Sequence, residues 1–237
     1  MMLTQRFWDR YAVAYSRMIG HWAPHQQMFK DVIAALDLRF GDQLLDAGCG
    51  AGDLEVAIVN SGQIVDIEAI DFSLGMLAGA RKKCGRNQNL HLSWADLDNR
   101  LAYSDQTFNK VSCVQVLYSL PRPTFTLKEF HRVMRPGGTL VIVEPKPDFK
   151  GSAMFSAHLR AINSQKPGRR LLSYLRLIFF LPFLPIIIRC NREIEQTYRS
   201  FEPSDLLAPI KESGFTVAET CETLSRQDLL VKAVKRD

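Results

Sequence analysis

The chain has 237 residues, 46% hydrophobic and 23% charged, which is ordinary for a globular protein and suits one large domain or a domain with an elaborated insertion. Five scattered cysteines without a Cys-x-x-Cys pair argue against a disulfide framework or a zinc site and favour a reducing compartment. Nine basic residues and one acidic residue fall between Lys146 and Arg192, a net charge of +8, whereas the other 21 basic and 24 acidic residues give −3.

The first part of the chain alternates between apolar strand-like runs and short helical patterns. Two helices are predicted at its start, over 4–19 and 25–38, the second opened by Pro24 and closed near Gly41. Strands are then predicted at 42–49, 65–73, 90–97, 108–120 and 139–145. The helices between them are predicted at 53–62, 74–84 and 124–134. Strands separated by such short helices predict a parallel sheet covered on both faces.

The C-terminal part departs from this alternation. A helix is predicted over 202–215 with Ser204 as its N-cap, followed by strands at 216–223 and 229–235 whose short link predicts an antiparallel hairpin at one sheet edge. We therefore expect an α/β fold with a doubly wound, seven-stranded, mostly parallel sheet. Four parts are predicted, namely a helical cap (1–41), a ligand-binding core (42–145), a basic apolar lid insertion (146–200) and a C-terminal part that completes the core (201–237).

The loop "DAGCGAG" at 46–52 follows the first predicted strand. It should therefore lie at the carboxyl end of the sheet, where ligands of doubly wound folds bind. Glycines at 48, 50 and 52 permit positive φ and let a ligand approach the backbone. The first amides of the next helix can face a negatively charged group.

Two aspartates end the second and third predicted strands. Asp71 lies 23 residues after Gly48, where a carboxylate can accept hydrogen bonds from the vicinal hydroxyls of a ribose. Asp96 offers an acceptor for an exocyclic amine such as that of adenine. Three neighbouring strand ends thus provide what a nucleoside needs.

The spacing of the glycines separates two kinds of nucleotide site. A dinucleotide fold has G-x-G-x-x-G, whose third glycine packs helix against strand. This loop has G-x-G-x-G, and Asp53 takes the third-glycine position. The spacing resembles the first motif of the class I S-adenosylmethionine-dependent methyltransferases, which have a Rossmann-like fold.

The resemblance to that family extends over roughly residues 7–145 and 201–235. It includes "FWDRYAVAY", "IDFSLGML", "WADL", "VQVLYSL" and "EFHRVMRPGGTLVIVEP", in the family's order and spacing. It implies that S-adenosylmethionine is the cofactor, S-adenosylhomocysteine the product, and 42–145 the cofactor-binding core. The residues that it places at the cofactor are Tyr11, Tyr15, Asp46, Gly48, Cys49, Gly50, Gly52, Asp71, Phe72, Met76, Asp96, Leu97, Gln115, Val116 and Leu117.

The implied reaction is an in-line displacement at an activated methyl group, so the protein mainly aligns two reactants and excludes water. No catalytic residue is therefore assigned. Tyr118 stands where relatives often have histidine, and it could orient an acceptor hydroxyl or be a buried structural residue. His21 and His25 could line the substrate mouth or lie on a helix surface, whereas His131 is expected to be structural. No metal site is expected.

The predicted insertion contains the most hydrophobic stretch of the chain, "LLSYLRLIFFLPFLPIIIR" at 171–189. Its charge-free run, Leu177 to Ile188, contains Pro182 and Pro185 and is shorter than the ~20 apolar residues that span a bilayer. Basic residues flank it, which is typical of a segment attracted to anionic lipid. The segment 166–192 is therefore either an anionic-membrane contact or a lid that packs on its own protein. Nucleic acid is not expected, because Phe179, Phe180 and Phe183 do not alternate with basic residues.

We expect an enzyme that methylates a small or lipid-like hydrophobic acceptor, such as a quinone, an isoprenoid or a phospholipid headgroup. Charges near the first residues leave no apolar run typical of a signal peptide, so a cytoplasmic protein is expected, peripheral at the membrane if the segment 166–192 contacts lipid. Two alternatives stay open. One is a non-catalytic S-adenosylmethionine-binding or membrane-adaptor module, and the other is a nucleotide-dependent oxidoreductase, which Asp53 disfavours.

Overall fold

The computed structural model describes residues 3–198 and 200–236. The strands are β1 (Gln43–Ala47), β2 (Asp66–Asp71), β3 (Leu90–Trp94), β4 (Phe108–Val114), β5 (Met134–Pro145), β6 (Phe215–Thr223) and β7 (Asp228–Lys235). The α-helices are α1 (Gln5–Met18), α2 (Ala23–Leu36), α3 (Asp53–Asn60), α4 (Leu74–Cys84), α5 (Pro123–Val133), α6 (Gly151–Asn163), α7 (Pro167–Phe180), α8 (Leu184–Thr197) and α9 (Pro203–Glu212). Short 3-10 helices cover Ile19–His21, Leu117–Ser119, Leu181–Phe183 and Leu224–Arg226.

The seven strands form one sheet in the order β3-β2-β1-β4-β5-β7-β6. Strands β1 to β5 pair in parallel, whereas β7 runs antiparallel to both β5 and β6. The predicted fold class is confirmed, and so is the antiparallel hairpin at one edge. The order reverses beside β1, so the loops after β1 and β4 open a crevice at the carboxyl end of the sheet.

Alternating residues of the buried strands feed two apolar layers. Leu44 of β1 packs with Ile67 and Val141 on the face covered by α1 and α2, whereas Leu45 packs on the other face, towards α5 and α9. A strand buried on both faces reads as a continuous apolar run, as these do. The sheet is therefore fixed from both sides, which makes its carboxyl edge a rigid base for a site.

Several predicted element ends differ from the structure. Strand β4 stops at Val114, not at 120, because Gln115 has φ +57° and a 3-10 turn follows. The Glu144 carboxylate accepts the backbone N–H groups of residues 116–118, at 3.1, 2.8 and 3.1 Å, and so stabilises that turn. Strand β3 ends at Trp94, so Asp96 lies in the following loop. Glu202, not Ser204, is the N-cap of α9.

The predicted insertion contains helices α6, α7 and α8. The expectation that its apolar segment is too short to span a membrane is wrong, because Pro167–Thr197 forms a helical stretch of 31 residues that is long and apolar enough by length and composition. Pro182 is the second residue of the 3-10 turn Leu181–Phe183, and Pro185 is the second residue of α8. Each lies in the first turn of its segment, where no N–H is needed, so the chain stays helical through both prolines. In the most apolar part of this stretch, only 6% of the residues are buried. The division of the chain into four parts stays a proposal.

Candidate functional site

A cavity of about 680 Å³ opens at the carboxyl ends of β1, β2 and β4, beneath α1, α2 and the insertion. Thirteen of the residues singled out in the sequence line it, namely Tyr11, Tyr15, His25, Gly48, Gly50, Asp71, Phe72, Met76, Asp96, Leu97, Gln115, Val116 and Tyr118. Four others, Asp46, Cys49, Gly52 and Leu117, are not part of the lining. The fold thus brings together residues that are more than 100 positions apart in sequence.

The glycine loop leaves room for a ligand at one position and for protein at another. A Cβ at Gly48, where φ is +86°, would lie 2.4 Å from Val116 Cγ2. A Cβ at Gly50, where φ is +54°, would meet no heavy atom within 4 Å. Gly50 therefore faces open cavity, so a ligand can approach its backbone, whereas Gly48 permits close packing against the loop after β4. This open cradle fits a nucleoside-type cofactor.

Asp71 is held in a fixed orientation at the end of β2. Its Oδ2 accepts the N–H of Gly50 at 2.9 Å, and its Oδ1 accepts the N–H of Ser73 at 2.8 Å. Burial raises the pKa of Asp71 to about 6, against these two hydrogen bonds, which favour the ionised form. Each carboxylate oxygen keeps a lone pair for the hydroxyls of a ribose.

Another aspartate ties helix α1 to the start of α4, next to Asp71. The Asp9 carboxylate accepts the hydroxyl of Ser73 at 2.6 Å and the N–H of Gly75 at 2.9 Å. At its other side α1 contacts the insertion, because the Tyr11 hydroxyl donates to Asn191 Oδ1 at 2.9 Å. Tyr15 lies one turn after Tyr11 and lines the same cavity, so the aromatic face of α1 forms its roof.

Asp96 lies in the loop after β3, beside the cavity. Its carboxylate accepts the N–H of Asp98 at 3.0 Å and the amide of Asn99 at 2.9 Å, which closes a turn. Leu97, which follows Asp96 in this turn, is buried and lines the cavity. Asp96 therefore lies beside the cavity as the resemblance implies, although a loop and not a strand holds it.

The four residues that do not line the cavity support the loops from below. The Asp46 carboxylate accepts the Ser112 hydroxyl at 2.6 Å and lies against Glu55, and burial raises the pKa of both acids. Burial also raises the pKa of the Cys49 thiol, which keeps it protonated. The Leu117 N–H is used by Glu144. A Cβ at Gly52 would lie 3.0 Å from Ala80 Cα, so this glycine serves helix packing.

The other half of the cavity has an apolar wall that sequence analysis largely missed. It is built from α1, α2 and the insertion, and its side chains include Met18, Trp22, Met154, Phe155 and Ile187. Tyr118 lines the same space and meets the Tyr198 ring edge-to-face at 5.8 Å, and burial raises its pKa well above 10, so its hydroxyl is neutral. These residues come from separate helices without a shared motif, so no local pattern marks them.

The histidines have different surroundings. His25 lines the main cavity, whereas His21 stacks on Phe180 and lines a smaller cavity. His131 packs edge-to-face on Phe215 and below Gly214, as expected of a structural residue. Within residues 3–198 and 200–236, no group of histidine, cysteine, aspartate and glutamate side chains could hold a metal ion.

Replacing Gly48 by alanine should lower the free energy of unfolding by about 3 kcal/mol, from the positive φ and from overpacking against Val116. Gly62→Ala is the matched control, because Gly62 has a similar φ of +77° but no heavy atom near its Cβ position. That variant should lose only about 1 kcal/mol. Guanidinium denaturation measures both values. Equal losses would show that close packing at Gly48 contributes nothing.

Comparisons with known proteins agree with this geometry. The family described as "Methyltransferase domain" matches residues 45–142. A demethylmenaquinone methyltransferase of Staphylococcus epidermidis is 31% identical over 121 residues, which cover 51% of this chain and 50% of that protein. The match thus spans about half the length of this relative. A demethylmenaquinone methyltransferase of Symbiobacterium thermophilum is 26% identical, covering 89% of this chain and 84% of that protein.

Solved structures share the fold at low identity. A SAM-dependent methyltransferase from Aquifex aeolicus superposes with a TM-score of 0.60 and 18% identity, covering 87% of this chain and 89% of that one. Magnesium protoporphyrin IX methyltransferase from Synechocystis, with bound SAH, gives a TM-score of 0.61 and 18% identity, covering 96% of this chain and 93% of that one. Each likeness thus covers most of this chain.

Proposed function

We propose that this class I S-adenosylmethionine-dependent methyltransferase methylates a small hydrophobic acceptor bearing a hydroxyl, with a reduced quinone as the leading case. The observation that carries this proposal is the continuity of the cavity. Its nucleoside-type half, with Gly50 and Asp71, runs directly into the apolar half beside Trp22 and Met154. Both reactants can therefore meet in one enclosed space.

The two halves have separate tasks in methyl transfer. The cofactor, when bound, supplies an activated methyl group. Asp71 would accept the ribose hydroxyls, and the backbone at Gly50 would lie along the cofactor. The apolar wall would hold the flat acceptor and exclude water, while the roof on α1 fixes the approach. Alignment in such a site supplies much of the rate, because two reactants held in line react as one unit.

The acceptor class is inferred from the relatives and from the cavity wall. Two similar proteins are demethylmenaquinone methyltransferases, which points to a quinone as the acceptor. The wall formed by Trp22, Met154, Phe155 and Ile187 suits a flat aromatic ring. A long apolar tail would leave this cavity along α8, whose Leu184, Ile187 and Ile188 line it.

We also propose that the insertion binds the surface of an anionic membrane. Leu171, Leu172, Leu175, Ile178, Phe179 and Leu181 of α7 and the following turn are all at least half exposed. A continuous apolar patch of this kind marks a contact surface. The neighbouring Lys166, Arg169 and Arg170 favour anionic headgroups. This patch is called the α7 face below.

Contact with the surface is favoured over a span because α8 is fastened to the domain. Ile187 and Cys190 of α8 are buried, and Asn191 accepts the Tyr11 hydroxyl of α1. A helix crossing the bilayer would need its apolar sides free for lipid along its length. Along α8, Leu184, Ile186 and Ile188 are exposed, but Ile187 and Cys190 are buried, so α8 is free on only part of its circumference. The protein would therefore be peripheral.

The two alternatives from the sequence have less support. Asp53 occupies the position of the third glycine of the dinucleotide motif, and its carboxylate pairs with Lys83 at 2.7 Å. Helix α3 therefore begins with an ion pair, whereas a dinucleotide fold has a glycine there that lets the helix pack closely on the strand. A cofactor-binding adaptor has no need of the apolar half of the cavity. Turnover distinguishes the adaptor from the enzyme.

The test is methyl transfer by purified protein. With labelled S-adenosylmethionine and chemically reduced demethylmenaquinone in detergent, the protein should transfer label to the quinol and release S-adenosylhomocysteine well above a no-acceptor control. Asp71→Ala is the inactive control, because its predicted cofactor contact is lost. Binding of S-adenosylhomocysteine without turnover on quinol, lipid or small-metabolite extracts would favour the adaptor.

A further inference from the structure

His25 is a buried histidine in the first turn of α2, at the wall of the main cavity. Only 5% of its surface is exposed, and its Nδ1 is buried with no hydrogen-bond partner among the described residues. Burial lowers its pKa to about 4, so the imidazole is neutral at pH 7. Burial is the cause of this shift, and no charged side chain among the described residues contributes to it.

An unpartnered buried nitrogen is uncommon, because leaving it without a hydrogen bond costs stability. His158, another buried histidine nearby, illustrates the ordinary case, since its Nδ1 accepts the N–H of Ala23 at 3.2 Å. His25 differs in lining the cavity, where it shares the apolar half with Trp22 and Met154. Nδ1 has almost no accessible surface, so the ring nitrogen that a ligand in that half can reach is Nε2.

We propose that His25 determines acceptor specificity by hydrogen-bonding a hydroxyl of the bound acceptor. A neutral imidazole has one nitrogen that accepts and one that donates, so it can pair with a phenolic hydroxyl without an ionic partner. In an apolar surrounding, such a site rejects a ligand that lacks the hydroxyl, because the imidazole then stays unpaired. The inference rests on the proposed function for the nature of the acceptor.

The test uses binding and not turnover, so that its outcome is independent of the methyl-transfer assay. The probes are 1-naphthol and 1-methylnaphthalene, which are similar in size and differ in the hydroxyl. Their affinities are measured by calorimetry with saturating S-adenosylhomocysteine. The wild-type protein should prefer 1-naphthol about tenfold, the range of one hydrogen bond.

Three variants separate this role from a structural one. His25→Leu should bring the preference close to one, and His25→Gln, which keeps a polar group, should restore most of it. His158→Leu is the matched control, because His158 stacks on Trp22 at 4.7 Å but lines only the smaller cavity. It should leave the preference unchanged.

A wild-type protein without preference for 1-naphthol, or a His25→Leu variant that keeps it, would overturn the proposal. Failure of the methyl-transfer assay with the naphthol preference intact would instead overturn the proposed acceptor chemistry and leave His25 as a hydroxyl-binding residue.

Discussion

Asp71→Ala is expected to weaken the binding of S-adenosylhomocysteine by roughly 100-fold, measured by calorimetry at pH 7.5. The carboxylate of Asp71 is fixed by the N–H groups of Gly50 and Ser73, so its free lone pairs are already directed into the cavity. Hydrogen bonds to a charged group contribute about 1.5–3 kcal/mol each, and about 2.8 kcal/mol is 100-fold in affinity. The loss of Gly50 orientation adds to the effect.

The matched control lies on the same strand. Asp66 also accepts two hydrogen bonds, from Gln43 at 2.7 Å and Asn89 at 2.8 Å, but it lies at the opposite end of β2 and away from the cavity. Asp66→Ala should therefore cost some stability and leave the affinity for S-adenosylhomocysteine within about twofold. If both variants weaken binding equally, Asp71 acts on the fold and not on the ligand.

The pH dependence gives an independent readout of Asp71. Its pKa is raised to about 6, so without ligand the carboxyl gains a proton as the pH falls through 6, and a protonated group is a poorer acceptor for two hydroxyls. Affinity for S-adenosylhomocysteine should fall from pH 7.5 to pH 5. Asp71→Asn should abolish that part of the pH dependence, whereas any contribution of the buried Asp46, whose pKa is also raised, would be common to both proteins.

The sheet and the cofactor half of the cavity could be predicted because their determinants are local. Strand and helix patterns alternate within short windows, and each candidate ligand residue follows its strand directly, so chain order fixes the place of Gly50 and Asp71. The four predicted residues outside the lining share those motifs. Only the direction that each residue faces distinguishes these four from the lining residues. The Asp46 side chain, for example, is directed to Ser112 below the loop, and a sequence motif does not specify that direction.

The end of β4 and the apolar wall could not be predicted, because distant residues determine them. The Val-rich run continues to Leu120, but Glu144, about 25 positions later, accepts the N–H groups of the turn after Val114. Likewise, the wall joins Trp22 of α2 to Met154 of α6 and Ile187 of α8. Each is an ordinary apolar residue of an amphipathic helix until the helices pack.

Two aromatic residues beside the α7 face pack against the N-terminal part of the chain. Phe180 stacks on His21 at 5.7 Å, and the Arg17 guanidinium covers Phe183 at 4.9 Å, so serine at either position would disturb packing. Leu175, Ile178 and Phe179 form one exposed helical stripe, with 54%, 61% and 67% of their surface accessible. Serine at these three positions removes the stripe and spares the fold.

Wild-type protein should co-sediment with vesicles containing an anionic phospholipid, and added salt should weaken binding, because each basic residue near such a surface contributes about 1 kcal/mol that screening removes. The triple serine variant should bind at least tenfold more weakly, since even partial insertion of three apolar side chains contributes about 3 kcal/mol. It should still bind S-adenosylhomocysteine, because the α7 face lies outside the cofactor half of the cavity.

Phe40, Val59 and Ile64 provide the matched control, since they are also exposed but lie near the amino ends of β1 and β2, on the side of the sheet away from the cavity. Replacing these three by serine should leave vesicle binding unchanged. If both triple variants lose vesicle binding equally, exposed apolar residues bind lipid unspecifically and the α7 face is not a specific docking surface. Wild-type protein that ignores anionic vesicles at low salt would contradict membrane contact, and the α7 face would then need another cover. If binding is lost only with the α7 stripe, α8, which follows α7 and lines the apolar half of the cavity, is held near the membrane, and an acceptor dissolved there would have a short path into that half.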